Sequence, residues 1–98
     1  MGLLEGDTAL ITGAASGIGR GIAKALVAEG VRPVLSDVAI EAGQALAREL
    51  NATFIAADLA DPTAPRKLFD AAEKLLGRIS ILVIARHQDG ERMKQPWQ

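Results

Sequence analysis

The sequence lacks cysteine and tyrosine, and it has only two Phe and one Trp among its 98 residues. The absence of cysteine excludes disulfides, thiol catalysis and zinc–thiolate sites. The 11 basic and 12 acidic residues are scattered and aromatic residues are few, so no basic, base-stacking surface for nucleic acid is visible. No apolar run approaches the 18 residues that a membrane span needs. We therefore expect a cytoplasmic protein of one domain at most, without a nucleic-acid or membrane partner.

Short apolar runs alternate with amphipathic stretches along most of the chain. The runs are typical of strands whose sheet is covered on both faces, and they lie at residues 8–11, 33–36, 53–56 and 79–84. Helices are predicted between them, at residues 18–29, 40–50 and 62–76. The alternation predicts an α/β fold, a partial doubly wound (Rossmann-type) parallel sheet of four strands ordered 3-2-1-4 with three helices.

Right-handed crossovers place the first two helices on one face of this sheet and the third on the other. The fourth strand is then an apolar edge, which we expect a second copy or a partner chain to cover. The apolar positions predicted to point inward are Ile18, Ile22, Ala25 and Leu26 in the first helix, Ala42, Ala45 and Leu46 in the second, and Leu68, Ala71, Ala72, Leu75 and Leu76 in the third. Gly43 is predicted to weaken the second helix by about 1 kcal/mol relative to Ala.

A glycine-rich turn, residues 12–19 with the sequence TGAASGIG, joins the first strand to the first helix. Such a turn brings backbone N–H groups and the positive end of a helix dipole to one place, which suits a phosphate. Gly13 can adopt the tight turn, Gly17 can let a pyrophosphate approach, and Gly19 can let helix and strand pack closely. The alternative is a small-residue turn that merely connects the two elements.

Asp37 ends the second strand, eighteen residues after Gly19. In a strand–helix–strand unit this carboxylate lies beside the glycine-rich turn, where it can accept both hydroxyls of an adenosine ribose and repel a 2′-phosphate. Neither Ser16 nor Val38 is basic, so nothing nearby would neutralise that phosphate. We therefore expect NAD to be preferred over NADP. The alternative, compatible with the first, is that Asp37 caps the helix that starts near Ile40.

These residues, together with Asp58 and Leu59 after the third strand, resemble the cofactor half of the short-chain dehydrogenase/reductase family over about residues 3–83. The resemblance implies NAD-dependent hydride transfer between a cofactor and an alcohol or carbonyl. It also implies that Asp58 binds the adenine amino group and that Leu59 packs on the ring. Alternatively, Asp58 or Asp61 caps the third helix, a role that suits Asp61 better because Pro62 follows it. The predicted cofactor site comprises Gly13, Ser16, Gly17, Ile18, Gly19, Asp37, Val38, Asp58 and Leu59.

The chain departs from the family after its fourth strand. Family members continue with Asn-Asn-Ala-Gly, but Ile84 stands where the first Asn would fall, and no Ser or Tyr-x-x-x-Lys catalytic set follows. We therefore assign no catalytic and no metal-binding residues and expect a chain truncated before the catalytic half. An early stop, a shifted reading frame and a real divergence all fit this pattern.

The sequence divides into a half domain at residues 1–85 and a polar tail at residues 86–98, which we expect to be flexible. The tail contains the only imidazole, His87, which has no neighbouring Ser, Cys or second ligand. Three functions fit: the NAD-binding portion of an oxidoreductase, a non-catalytic nucleotide-binding module, or an interaction module that uses the open sheet edge.

Purified as these 98 residues, the protein should show no dehydrogenase turnover. A bound nicotinamide needs a nearby acid to protonate the developing alkoxide, and the sequence contains no Tyr to supply it. NADH formation at high protein concentration, across a panel of secondary alcohols, tests this expectation. Substrate-dependent turnover that disappears in His87→Ala would show that the tail carries its own catalyst.

Overall fold

The computed structural model describes residues 4–85, so the predictions for the tail and for His87 lie outside the described part of the chain. Strands and helices alternate along it. In order they are β1 Thr8–Thr12, α1 Gly17–Ala28, β2 Arg32–Asp37, α2 Ile40–Leu50, β3 Thr53–Ala56, α3 Ala64–Leu76 and β4 Ile81–Ile84. The prediction for α2 and β3 matches the observed bounds.

The four strands form one parallel sheet in the order β3-β2-β1-β4. Leu10 of β1 lies opposite Val34 of β2 on one side and Leu82 of β4 on the other. The predicted α/β class, strand order and number of helices are confirmed. Because all strands run the same way, the loops after β1, β2, β3 and β4 meet at one edge of the sheet.

Two separate apolar cores cover the two faces of the sheet. The larger joins α1 and α2 to the sheet, and its buried members include Ile11, Ala23, Leu35, Leu46 and Ala47. The smaller joins α3 to the sheet through Leu10, Val34, Leu68 and Ala72. The predicted division of the helices, two on one face and one on the other, is therefore correct.

The inward faces of α1 and α2 are centred on smaller residues than predicted. In α1 the buried residues are Gly19 and Ala23, whereas Ile18 and Ala25 are exposed. In α2 they are Gly43, Leu46 and Ala47, whereas Ala42 and Ala45 are exposed. Both predictions were correct only in part, since Leu46 is buried and Leu26 packs against the larger core as predicted. The residues that were missed are small, because helices packed closely on a sheet place small residues at the contact, and these carry little hydrophobic signal. In α3, Leu68 and Ala72 are buried as predicted, but Leu75 is exposed.

Gly43 is a packing requirement rather than the weak point that the sequence suggests. A Cβ atom at this position would overlap the ring of Phe54 in β3, lying 2.7 Å from both Cδ1 and Cζ. Phe54 is half-buried and packs against the larger core. The lack of a side chain at position 43 therefore lets the ring lie against α2.

The helix α3 begins two residues later than predicted. Asp61 to Ala64 form a turn, closed by a 3.1 Å hydrogen bond from the N–H of Ala64 to the carbonyl oxygen of Asp61. Pro62 lies in this turn, and Pro65 occupies the first helical turn in its place. Strand β4 likewise begins at Ile81 rather than Ile79, and Ile79 packs against the smaller core.

On the face of the sheet that packs against α3, the side chains of β4 are exposed. Leu82 and Ile84, which share that face with Leu10, are 54% and 66% exposed. Their neighbours Ile81 and Val83 point to the larger core and are half-buried. The apolar edge that the topology predicts is present in the structure.

Replacing Gly43 with Ala should lower the free energy of unfolding by about 1–3 kcal/mol, because overlap with Phe54 outweighs the gain in helix propensity. The matched control is Gly21→Ala on α1, where an added Cβ meets nothing within 4 Å. That variant should be stabilised by about 0.5–1 kcal/mol. Urea unfolding of both variants makes the comparison, and adding Phe54→Leu to Gly43→Ala should recover part of the loss. Equal stabilisation by both Ala substitutions would contradict the packing of Phe54 on α2.

Candidate functional site

The residues predicted to bind a cofactor lie on three loops at the carboxyl edge of the sheet. The first loop joins β1 to α1, the second joins β2 to α2, and the third joins β3 to α3. A 3.0 Å bond from the N–H of Ala14 to the carbonyl of Ser36 ties the first loop to β2, and a 3.3 Å bond from the N–H of Ala57 to the carbonyl of Asp37 ties the third. The fold therefore brings the three predicted segments together.

The first loop is a tight turn built on Gly13, whose φ is +65°. This left-handed conformation strongly favours glycine. The carbonyl oxygen of Gly13 accepts two hydrogen bonds from Ser16, one from its N–H at 3.0 Å and one from its hydroxyl at 2.7 Å. The turn is thus closed by contacts within the loop itself.

Ser16 is the N-cap of α1, a role that the sequence analysis missed. Its hydroxyl oxygen accepts a 3.0 Å hydrogen bond from the N–H of Gly19, and the side chain is buried. A serine directly before a helix is a preferred N-cap, so the residue type was the available signal. The hydroxyl thus bonds both to the turn and to the helix.

Two backbone donors at the start of α1 are left for a ligand. The first N–H groups of a helix have no acceptor within the helix. The cap accounts for Gly19, and among residues 4–85 no hydrogen bond is formed by the N–H groups of Gly17 and Ile18. Both residues are exposed. This pair, at the positive end of the helix dipole, is suited to an anionic oxygen.

Gly19 and Gly17 differ in what surrounds them. A Cβ at Gly19 would overlap the carbonyl oxygen of Gly13 and lie 2.9 Å from its carbon, so a glycine here lets α1 approach the end of β1. A Cβ at Gly17 would meet nothing within 4 Å. Within residues 4–85 no neighbour demands glycine at position 17, and its predicted role toward a pyrophosphate stays a prediction.

Asp37 lies at the end of β2, 3% exposed, with its carboxylate between the first two loops. One oxygen, Oδ2, accepts a 2.9 Å hydrogen bond from the N–H of Ala15, and the other, Oδ1, accepts a 2.8 Å bond from the N–H of Ala39. Ala39 is the N-cap of α2. The structure thus places Asp37 beside the glycine-rich turn and also at the start of α2, as the two compatible interpretations require.

The remaining predicted residues form an exposed rim around this edge. Val38 follows Asp37 and is 54% exposed, and Leu59 is also exposed. Asp58 is exposed, and its Oδ1 accepts a 2.9 Å bond from the N–H of Ala60. These side chains are accessible to a ligand.

Asp61 belongs to the turn before α3. Its Oδ1 accepts hydrogen bonds of 2.9 Å from both the N–H and the hydroxyl of Thr63. These bonds favour the charged carboxylate and hold the pKa of Asp61 below its usual value. The prediction that Asp61 caps α3 is wrong, because the N-cap is Thr63 and the helix begins at Ala64; Asp61 instead holds the turn that precedes the cap.

Metal binding finds no support in the described part of the chain. Residues 4–85 contain no group of three or more His, Cys, Asp or Glu side chains that could hold a metal ion. A cleft of about 420 Å³ lies between β3 and α3 and includes Asp58, Asp61 and Lys67, but most of its lining is Ala, Leu and Ile. Over the same residues no helix is long and apolar enough to cross a membrane.

Comparison with known proteins identifies the family of this chain. The family model for short chain dehydrogenases matches residues 7–86. The chain belongs to the short chain dehydrogenase family. Oxidoreductase UcpA of Escherichia coli is 40% identical over 87 residues, covering 85% of this chain and 33% of the relative. Sorbitol dehydrogenase of Cereibacter sphaeroides is 43% identical over 82 residues, covering 82% and 32%. The chain thus spans about a third of the length of these relatives.

Solved structures show the same arrangement. A dehydrogenase/reductase from Sinorhizobium meliloti matches with a TM-score of 0.80 and 38% identity, over 84% of this chain and 35% of that one. The 3-ketoacyl-(acyl-carrier-protein) reductase of Brucella melitensis, solved in complex with NADH, matches with a TM-score of 0.76 and 36% identity, over 81% and 33%. The family is one of oxidoreductases that bind a nicotinamide dinucleotide.

Proposed function

We propose that residues 1–85 form the NAD-binding half domain of an oxidoreductase that transfers hydride between NAD(H) and an alcohol or carbonyl substrate. The observation that carries this proposal is the pair of N–H groups at Gly17 and Ile18, which form no hydrogen bond within residues 4–85 and lie beside the buried carboxylate of Asp37. When bound, the nicotinamide supplies the hydride chemistry. The residues of this chain bind and orient the cofactor, and none is assigned a catalytic role.

The phosphates would lie at the start of α1. The N–H groups of Gly17 and Ile18 donate to phosphate oxygens, while the cap from Ser16 to Gly19 holds the first turn of the helix in place. The open space above Gly17 lets a bulky anion approach the backbone. Gly13 contributes through its left-handed turn, which shapes the loop, rather than through a side chain.

The adenosine ribose would lie against Asp37. A carboxylate has about four lone-pair sites, so ribose hydroxyls can add to the backbone donors that Asp37 already accepts. The same negative charge repels a 2′-phosphate, and the adjacent Val38 offers no positive charge to offset it. This arrangement favours NAD over NADP.

The adenine ring would lie on the exposed rim. Val38 and Leu59 offer apolar surface, and Asp58 offers a carboxylate that can accept a hydrogen bond from the exocyclic amine. Asp58 is held in part by the N–H of Ala60, which restricts its side chain without filling both oxygens.

We also propose a cytoplasmic location. A chain without cysteine is compatible with the reducing conditions of that compartment.

Wild-type protein should bind NAD at least about tenfold more tightly than NADP, a difference of about 1.4 kcal/mol. Val38→Arg should reduce or abolish that preference, because a guanidinium beside the ribose can pair with a 2′-phosphate while Asp37 stays in place. Calorimetric titration of both cofactors measures the two ratios. Val38→Gln, which is long and polar but uncharged, is the matched control and should keep the preference for NAD. Equal affinities for the two cofactors in the wild-type chain would remove Asp37 from the ribose site, and absence of binding would refute the proposal.

A second proposal concerns the uncovered edge of the sheet. The exposure of Leu82 and Ile84 on β4 favours pairing with a second copy of this chain, since an unpaired strand offers both backbone groups and apolar side chains to a partner. The function would then include self-association in addition to cofactor binding.

Sedimentation of the 98-residue protein should show a concentration-dependent dimer. Ile84→Lys should shift the population to monomer, because it places a charge on the apolar side of β4. Lys74→Glu, a charge change on an exposed position of α3, is the control and should leave the dimer intact. A wild-type chain that is monomeric at every concentration would refute self-association.

A further inference from the structure

The carboxylate of Asp37 links two loops. Its two oxygens accept hydrogen bonds from Ala15, at the centre of the glycine-rich turn, and from Ala39, at the start of α2. The carboxylate is attached to a residue of β2 that is almost fully buried. The contact therefore joins the turn to the end of a buried strand.

The position of Ala15 explains how its hydrogen bond to Asp37 can affect the rest of the turn. Ala15 lies between Gly13, whose carbonyl closes the turn, and Ser16, whose hydroxyl caps α1. Fixing the N–H of Ala15 fixes the peptide plane between Ala14 and Ala15, which lies one residue before the cap at Ser16. The unused donors at Gly17 and Ile18 come directly after this cap, so their direction depends on the same contacts.

We propose that Asp37 is a positioning residue for the phosphate-binding turn, in addition to any contact with the ribose. Its carboxylate holds Ala15 so that the N–H groups of Gly17 and Ile18 are oriented before the cofactor arrives. Ordering a loop in advance increases affinity, because the ordering no longer opposes binding. The choice of NAD as the ligand rests on the proposed function, but the hydrogen bond between Ala15 and Asp37 does not.

This role differs in a measurable way from ribose recognition. A residue that only reads the ribose has no effect on a ligand without ribose hydroxyls. A residue that orders the turn affects every ligand with the same phosphates. An NAD analogue with 2′,3′-dideoxyadenosine in place of adenosine separates the two roles, since it keeps the pyrophosphate and lacks both hydroxyls.

The test compares Asp37→Asn with the wild-type chain, using NAD and the dideoxy analogue in calorimetric titrations. Asn keeps the size of the side chain, but its amide nitrogen cannot accept one of the two backbone N–H groups. We expect Asp37→Asn to weaken the analogue by about tenfold, with a larger loss for NAD. Asp61→Asn is the control for the loss of a carboxylate charge near this edge of the sheet, because Asp61 lies outside the proposed site and accepts both of its hydrogen bonds at Oδ1, which Asn retains. It should leave both affinities unchanged.

Unchanged binding of the analogue by Asp37→Asn, with loss of NAD alone, would overturn the proposal. A second measurement is independent of any ligand and of the proposed function: amide hydrogen exchange at Ala15 in the ligand-free protein. We expect exchange at Ala15 to be slow in the wild-type chain and in Asp61→Asn, and at least about tenfold faster in Asp37→Asn. Exchange at Ala15 as fast as at Gly17 in the wild-type chain would refute the inference, even if the chain bound neither ligand.

Discussion

Close contact between α1 and the end of β1 is the constraint on which the candidate site depends. At Gly19 the helix comes so near the carbonyl of Gly13 that no side chain fits between them. This approach brings the start of the helix directly over the turn, where Ser16 can bond to both elements at once. The donors at Gly17 and Ile18 are then left at the carboxyl edge of the sheet. A larger residue at position 19 would move the helix and the donors together.

The two faces of the sheet are covered unequally. Two helices and the larger core protect one face, whereas α3 alone covers the other and leaves the outer side of β4 exposed. The carboxyl edge is nevertheless held together by hydrogen bonds between neighbouring strand ends. The carbonyl oxygen of Ser36 accepts a bond from the N–H of Ala14, and that of Thr12 accepts one from the N–H of Ala85. Asp37 accepts a bond from the N–H of Ala15 through its carboxylate. The candidate cofactor site lies at this edge, where hydrogen bonds join neighbouring strands.

Strand order and element type could be predicted from the sequence because they follow from chain direction and alternation. Unbroken apolar runs separated by helical periods allow few arrangements once right-handed crossovers are required. The inward faces of α1 and α2 could be predicted only in part. The close approach of α1 at Gly19 follows from the glycine spacing, whereas Gly43 is buried because the Phe54 ring lies against it, and that ring is not adjacent in sequence. Apolar periodicity instead favoured Ile18, which lies on the exposed side.

In the candidate site, too, sequence patterns predicted some features, whereas contacts between segments distant in sequence could not be predicted. The glycine spacing and the position of Asp37 indicated which loops would meet, and they do meet. The bonds from Asp37 to Ala15 and Ala39 could not be foreseen, because they depend on how two loops approach in space. The sequence likewise placed Ser16 in the predicted cofactor site but did not show that its hydroxyl caps α1.

The central claim is that the N–H groups of Gly17 and Ile18 are the anion donors of this chain. Amide chemical shifts of the ¹⁵N-labelled 98-residue protein, followed during titration with NAD, test it most directly. The account predicts the largest shifts at Gly17 and Ile18, with much smaller ones at Ala14, whose N–H is already bonded to Ser36. Saturable binding of NAD that leaves the amides of Gly17 and Ile18 unshifted would contradict it.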